Sequence, residues 1–225
     1  MADPAPPLGL LGGTFDPVHY GHLRLADDVQ TALALPAVRL IPAADPPHRA
    51  APHASASDRL AMLEIACSEF PRLSVDRREI DRGGKSYTVL TLEELRNEES
   101  QRPLLWIIGA DSLLGLPSWH RWRELFDLAH LVVAERPGVP LESALPNALV
   151  PEWNARLISD AALLRSRPSG AIYRQRVSPQ PISASAIRAA IARGGDSIAA
   201  VQGLLPDSVL AYIGRHGLYR AHTHT

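Results

Sequence analysis

Two histidines three residues apart, His19 and His22, stand in the stretch Gly12-Gly13-Thr14-Phe15-Asp16-Pro17-Val18-His19-Tyr20-Gly21-His22-Leu23. A short apolar run, Leu8 to Leu11, precedes it and a helix-like pattern follows, so it reads as the turn from a first strand into a first helix. In open α/β folds that turn lies at the carboxyl edge of the sheet, where ligands bind. Two glycines let a phosphate approach the backbone, and a helix start offers N–H groups and a positive dipole end. Residues three apart at a helix start can face one ligand, and Gly21 keeps a side chain out of their way. The chemistry this supports is phosphate binding. Glycines after a strand can also serve the turn alone, and this is not the G-x-G-x-x-G fingerprint of a dinucleotide fold. A histidine pair can be structural or bind zinc, although no third ligand is obvious nearby.

A second anion site is spelled by Pro181-Ile182-Ser183-Ala184-Ser185-Ala186-Ile187-Arg188, ahead of an alanine-rich helix that ends near Gly194-Gly195. Ser183 or Ser185 can cap that helix, and Arg188 in the next turn supplies a permanent forked donor. An ordinary capped surface helix would read the same way.

The elements that must position these residues alternate in type. The periodicity predicts a helix from about Gly21 to Leu35, a strand over Ala37–Ile41 and a proline-rich loop over 42–56. Ser57 then caps a helix to about Cys67. Leu73–Val75 is a candidate strand, Arg82-Gly83-Gly84 a turn, and residues 88–97 a helix. Leu104–Ile108 and Leu131–Val133 read as buried strands, while 137–170 has no regular pattern. Short apolar runs alternating with helices predict an α/β fold: a mostly parallel sheet, helices on both faces, and a helical C-terminal part. The expected organisation is a disordered tail over 1–7, one domain over 8–219 and a C-terminal tail over 220–225.

Bulk properties exclude several classes. The 225 residues suffice for one sizeable domain, and 46% hydrophobic with 21% charged residues is ordinary globular composition. A formal net charge of −1 argues against a general nucleic-acid or anionic-membrane binder. The single cysteine, Cys67, rules out an intramolecular disulfide and reads as a small core residue. No apolar run approaches the ~20 residues of a membrane span, and the start lacks a signal-peptide pattern. The expected compartment is the cytoplasm.

Gly12 through Leu23 resembles the nucleotidyltransferase superfamily with the histidine-x-glycine-histidine signature, a group with a Rossmann-like fold. In it the two histidines, here His19 and His22, contact the nucleoside triphosphate and stabilise the transition state. Residues 182–188 resemble that superfamily's Ile-Ser-Ser-Thr-x-Ile-Arg element. Ile182, Ser183, Ile187 and Arg188 match, Ser185 replaces the threonine, and Ala184 replaces the second serine and is given no role. The resemblance thus implies an ATP site made of Gly12, Gly13, Thr14, Phe15, His19, His22, Ile182, Ser183, Ser185 and Arg188.

Further pieces narrow the resemblance to the nicotinate-nucleotide adenylyltransferases: Pro46-Pro47-His48-Arg49, Gly84-Lys85-Ser86-Tyr87-Thr88, Gly109-Ala110-Asp111-Ser112-Leu113, Trp119-His120 and the closing Gly217-Leu218-Tyr219. By it, Trp119 stacks on a pyridine ring, and backbone N–H groups near Val89 and His120, with Thr88, receive a carboxylate. Arg49 faces a phosphate, Asp111 binds ribose hydroxyls or helps place the metal, and Asp16 and Arg136 complete the mononucleotide site. The family often has tyrosine at the position of His120. The implied reaction joins ATP to nicotinate mononucleotide and releases pyrophosphate, with Mg²⁺ carried on ATP. The 5′-phosphate attacks directly, and His19, His22 and Arg188 supply a positive field. Nicotinamide mononucleotide or phosphopantetheine as acceptor, and a non-catalytic nucleotide sensor, remain as alternatives. Trp119 can also be a core residue beside Trp106 and Trp122, and Asp111 a helix cap. His48 and His53 read as exposed loop residues, and His222 and His224 as parts of a frayed tail.

Overall fold

In a computed structural model, residues 5–47, 51–135 and 141–221 are described. Their elements run β1 (Leu8–Gly13), α1 (Tyr20–Ala32), β2 (Val38–Pro42), α2 (Ala56–Cys67), β3 (Leu73–Val75), α3 (Arg78–Arg82), α4 (Thr88–Glu98) and β4 (Leu104–Gly109). Then follow α5 (Ala110–Leu114), α6 (Leu125–Leu128), β5 (His130–Glu135), α7 (Val150–Arg156), β6 (Leu157–Ile158), β7 (Ile172–Arg176), α8 (Ala184–Arg193) and α9 (Asp207–His216). The strands form one sheet in the order β3-β2-β1-β4-β5-β7-β6, and every pairing is parallel. From β1 the chain moves outward on one side through β2 and β3, then returns to β4 and builds the other side. The β1/β4 boundary is therefore the topological switch point, where the carboxyl ends of such sheets hold ligands. The α/β Rossmann-like expectation holds.

Alternation along the central strands explains the two cores. Leu8 and Leu10 of β1 share one core with Leu104, Trp106 and Ile108 of β4 and with Leu131 and Val133 of β5. Leu11, Leu105, Ile107, Val132 and Ala134 point the other way, toward α1, α2, α8 and α9. A period of two in a strand buried on both faces gives a continuous apolar run, which is why these strands were legible.

Boundaries differ from the sequence expectations for physical reasons. Gly12 and Gly13 continue β1 instead of ending it. A Cβ on Gly12 would lie 2.7 Å from the Trp106 ring, and one on Gly13 2.8 Å from the Phe15 ring. Their smallness makes room for two aromatics in the body of a strand. α1 stops at Ala32, short of Leu35, where Ala34 turns left-handed and the buried Gln30 side-chain amide donates to the Leu35 carbonyl. Ser55, not Ser57, caps α2, accepting from the Asp58 amide at 3.1 Å. Segment 137–170, expected to be irregular, contains α7 and β6, and β7 follows it. At the amino end, residues 1–4 of the expected tail lie outside the described residues, while Pro7 is buried and the Pro6 carbonyl accepts from Arg102 Nε at 2.7 Å. Cys67 is buried, and burial pushes its thiol up to about 12, so it is an inert core group.

Candidate active site

His22 lies in the first turn of α1, and His19 closes the loop from β1 to α1. Phe15 opens it in a left-handed conformation, φ 50°, which costs a non-glycine residue about 1–2 kcal/mol and is held by complete burial of its ring. That ring meets the His22 imidazole edge-on at 5.1 Å, and the His22 and His19 rings stack at 3.8 Å with 26° between planes. His19 occupies the residue before α1 in extended conformation, so its side chain projects from the helix start. A Cβ at Gly21 would lie 2.8 Å from the His19 ring, and Ile182 is the next neighbour at 3.6 Å. Gly21 thus admits the histidine stack, and the 181–188 element lies directly beside it.

His19 is 5% exposed, its Nδ1 finds no hydrogen-bond partner among the described residues, and burial pushes its pKa down to about 4. In the protein alone, burial thus favours the neutral His19 imidazole at pH 7. It contributes an N–H dipole, and a polyanion brought against it would favour its protonation. His22 is half-buried.

Arg188, from the first turns of α8, reaches back to this loop. Its Nη1 donates to the Asp16 carbonyl at 2.7 Å and stands 3.8 Å from Asp16 Oδ2, and its Nη2 lies 3.3 Å from Ser185 Oγ. Ser183 occupies the N-cap position without a side-chain capping bond, so neither it nor Ser185 caps α8, and both hydroxyls are exposed. Asp16 is 6% exposed and saturated: Oδ2 accepts from the His53 amide at 2.8 Å, and Oδ1 from the Ala54 amide at 3.0 Å and the Tyr219 hydroxyl at 2.8 Å. Burial alone would push this carboxyl up, yet those hydrogen bonds and the Arg188 charge carry it below its ordinary value. Asp16 therefore faces the protein's own loops. His53, exposed, also sets its Nδ1 3.4 Å from Asp16 Oδ2.

Next to the stretch that leads into the histidine loop, a cavity of about 380 Å³ opens at the carboxyl ends of β1, β2 and β4. Its wall contains Gly12 and Gly13 at the end of β1 with Thr14 just after, Asp111 and Ser112 after β4, Thr88 at the start of α4, and Trp119 and His120. These come from four separate stretches, and the fold brings them together. Thr88 and Val89 open α4, so their amides lie outside its hydrogen-bond ladder; the Val89 side chain itself is core. Tyr87 and His120 rings touch at 4.5 Å, closing α4 onto the Trp119 turn. Trp119 is partly buried, unlike Trp106 and Trp122, which are core; Trp106 also forms cavity wall. Asp111 lies in the first turn of α5 rather than at its cap, which is Gly109. Arg49 and Arg136 lie outside the described residues, as do His48, His222 and His224.

Two residues that sequence reasoning missed shape this region. Arg59 is 1% exposed and spends its guanidinium on carbonyls: Thr14 at 2.8 Å and Ala44 at 3.0 Å, with Nε 3.4 Å from Ala54. It ties the β1–α1 loop to the loop after β2. Its signal was available, since Arg59 falls on the α2 face shared by Met62, Leu63 and Ala66, where a cation must find internal partners. Glu79 of α3 is a buried carboxyl in the cavity wall, accepting from Thr91 Oγ1 at 2.5 Å, and burial pushes its pKa up. Next to it, Ser86 Oγ accepts from the Ala44 amide at 2.8 Å and so holds the approach to Thr88.

The chain matches the cytidylyltransferase-like family model over residues 10–190. A protein of Stenotrophomonas maltophilia named "Probable nicotinate-nucleotide adenylyltransferase" is 50% identical over 218 residues, covering 94% of this chain and 96% of that one. A protein of Halorhodospira halophila with the same name is 48% identical over 219 residues, covering 97% and 98%. Among solved structures, the Plasmodium falciparum nicotinic acid mononucleotide adenylyltransferase complexed with NaAD shares the fold, with TM-score 0.71, 14% identity and coverage of 96% and 98%. The chain belongs to the cytidylyltransferase-like family, in the branch formed by the nicotinate-nucleotide adenylyltransferases.

Proposed function

We propose that this protein transfers the adenylyl group of ATP to nicotinate mononucleotide, giving nicotinate adenine dinucleotide and pyrophosphate. The observation that carries the reading is an adjacency. A stacked histidine pair with an arginine on its loop follows Gly12–Thr14, and that stretch lines a cavity whose wall includes an indole, Trp119, and a helix N-terminus, α4. The first group suits a polyphosphate; the second suits a flat ring bearing a carboxylate.

In this reading the ATP phosphates lie along Gly12–Phe15, His19, His22, Ile182, Ser183, Ser185 and Arg188. The mononucleotide takes Thr88, Val89, Asp111, Trp119 and His120, with Arg49 and Arg136 near its phosphate and Asp16 holding the loop between the two sites. A 5′-phosphate oxygen forms the new bond to the α-phosphorus as the bond to the bridging oxygen of pyrophosphate breaks. The nucleophile is already anionic, so no protein base is needed. The work of the residues is alignment and charge compensation: Arg188 is cationic throughout, and His19 and His22 point N–H donors at growing charge.

Among the described residues, no cluster of three or more His, Cys, Asp or Glu side chains is placed to hold a metal. The donors present fit Mg²⁺ that arrives on ATP and keeps mainly phosphate and water oxygens, with the Asp111 carboxylate at the cavity edge in reach. Bound there, the ion would neutralise part of the polyphosphate charge. No helix among the described residues is long and apolar enough to cross a membrane, and the reading places the reaction in the cytoplasm. The test is product chromatography after incubation with ATP, Mg²⁺ and one acceptor at a time. Nicotinate mononucleotide should give a dinucleotide peak and the amide much less; a preference for the amide or for phosphopantetheine would overturn the substrate assignment.

A further inference from the structure

The C-terminus of α9 is built to return the chain to the active-site loop. Gly217 is left-handed at φ 62°, its amide donating to the Gly214 carbonyl and the Leu218 amide to the Ile213 carbonyl at 3.1 Å. That pair of bonds is a Schellman turn, and it folds Leu218 and Tyr219 back against the body of the protein. Tyr219 is itself left-handed at φ 61°, and its hydroxyl donates to Asp16 Oδ1 at 2.8 Å. A left-handed tyrosine costs about 1–2 kcal/mol, so the hydrogen bond and the packing of its ring must outweigh that strain.

We propose that Tyr219 is a positioning residue for ATP, acting on Arg188 through Asp16. Asp16 holds four groups at once: the His53 and Ala54 amides, the Tyr219 hydroxyl on its carboxylate, and Arg188 on its carbonyl. The carboxylate lies 3.8 Å from the Arg188 guanidinium, so left alone it would draw the arginine onto itself. A phenol donating to Oδ1 satisfies that charge at the carboxylate oxygen other than the one nearest the guanidinium. It keeps the Asp16 peptide oriented so that its carbonyl, not its carboxylate, takes the guanidinium. Arg188 is thereby held beside the histidine loop with donors left for an incoming phosphate. Burial and the neighbouring Asp16 charge push the Tyr219 phenol up, so it remains a proton donor across the working pH range.

The proposal rests on Arg188 gripping the polyphosphate, and a double-mutant cycle separates the two ideas. Tyr219→Phe removes one oxygen and should lower kcat/KM for ATP about tenfold, leaving KM for the mononucleotide unchanged. In an Arg188→Ala background the same change should cost almost nothing further, because its route of action is gone. Tyr212→Phe is the control: it too loses a phenol-to-carboxylate bond, to Asp58 at 3.0 Å, and should leave both substrates' kinetics intact. Equal losses from Tyr219→Phe in both backgrounds, or no loss in the first, would overturn the Tyr219 role. If Arg188→Ala alone leaves ATP kinetics untouched, the failure lies with the Arg188 assignment instead.

Discussion

The His19 imidazole lies against the His22 imidazole at 3.8 Å between centroids, a spacing that only a glycine at position 21 permits. One ring is buried and neutral and the other half-buried, so the pair runs from core toward solvent at the start of α1.

Loss of the outer ring should remove a transition-state donor and little else. His22→Ala is expected to lower kcat about 100-fold or more, the scale of losing one oxyanion donor, while the thermal midpoint moves by only a few degrees. Parallel steady-state kinetics and thermal melts check both halves.

Gly21→Ala sets two effects against each other. Alanine in a helix is favoured over glycine by roughly 1 kcal/mol, yet its Cβ would stand 2.8 Å from the His19 ring. The ring must swing off the stack. Stability should therefore change by less than about 1 kcal/mol while kcat drops at least about tenfold; unchanged kcat would show that the stack has no part in the reaction.

Stability should fall with acid in a window set by buried histidines. His19, with a folded pKa of about 4 against 6.5 unfolded, binds its proton more readily when unfolded. Its contribution is full above pH 6.5, is lost progressively down to about 4, and amounts to about 3 kcal/mol at most. His130 adds in the same sense: burial pushes it down, and its Nδ1 must stay unprotonated to accept from the Ala171 amide at 3.0 Å. Glu79, pushed up by burial, opposes them. Urea unfolding at pH 7 and pH 5, compared between wild type and His19→Gln, isolates the His19 part as a smaller loss in the variant.

Much of the frame was legible and some of it could not be. β1, β4 and β5 are buried on both faces, so they spell continuous apolar runs. β7, Ile-Tyr-Arg-Gln-Arg, buries only Ile172 fully, so it spells no apolar run and carries no strand signal. α3 has five residues, too short for a period to show. The histidine signature was readable because its members are neighbours in sequence as well as in space, whereas Trp119 shares its cavity with residues from distant stretches and was singled out by the family resemblance alone. The Tyr219–Asp16 bond spans 203 positions and leaves no local trace. Gly12 and Gly13 were read as a phosphate turn, whereas their visible constraint is the room taken by Trp106 and Phe15.

Arg59 should prove a structural clamp with a catalytic consequence. Arg59→Met keeps bulk but leaves the Thr14 and Ala44 carbonyls without their buried donor. The expected cost is about 2–4 kcal/mol, with KM rising for both substrates, because the two loops it joins border both halves of the site. A melt within a degree of wild type would contradict this.

Trp119→Ala should divide the substrates. With the indole gone from the cavity wall, KM for the mononucleotide is expected to rise about tenfold, the scale of one aromatic stacking contact, while KM for ATP stays put. Equal effects on both would place Trp119 in the scaffold.

The most direct test of the adenylyl-transfer account follows an oxygen. Nicotinate mononucleotide carrying ¹⁸O in all non-bridging positions of its 5′-phosphate is turned over with unlabelled ATP, and the products are weighed by mass spectrometry. Direct attack on the α-phosphorus predicts that the dinucleotide retains every labelled oxygen and pyrophosphate carries none. Label in the pyrophosphate, or pyrophosphate formed without dinucleotide, would contradict it.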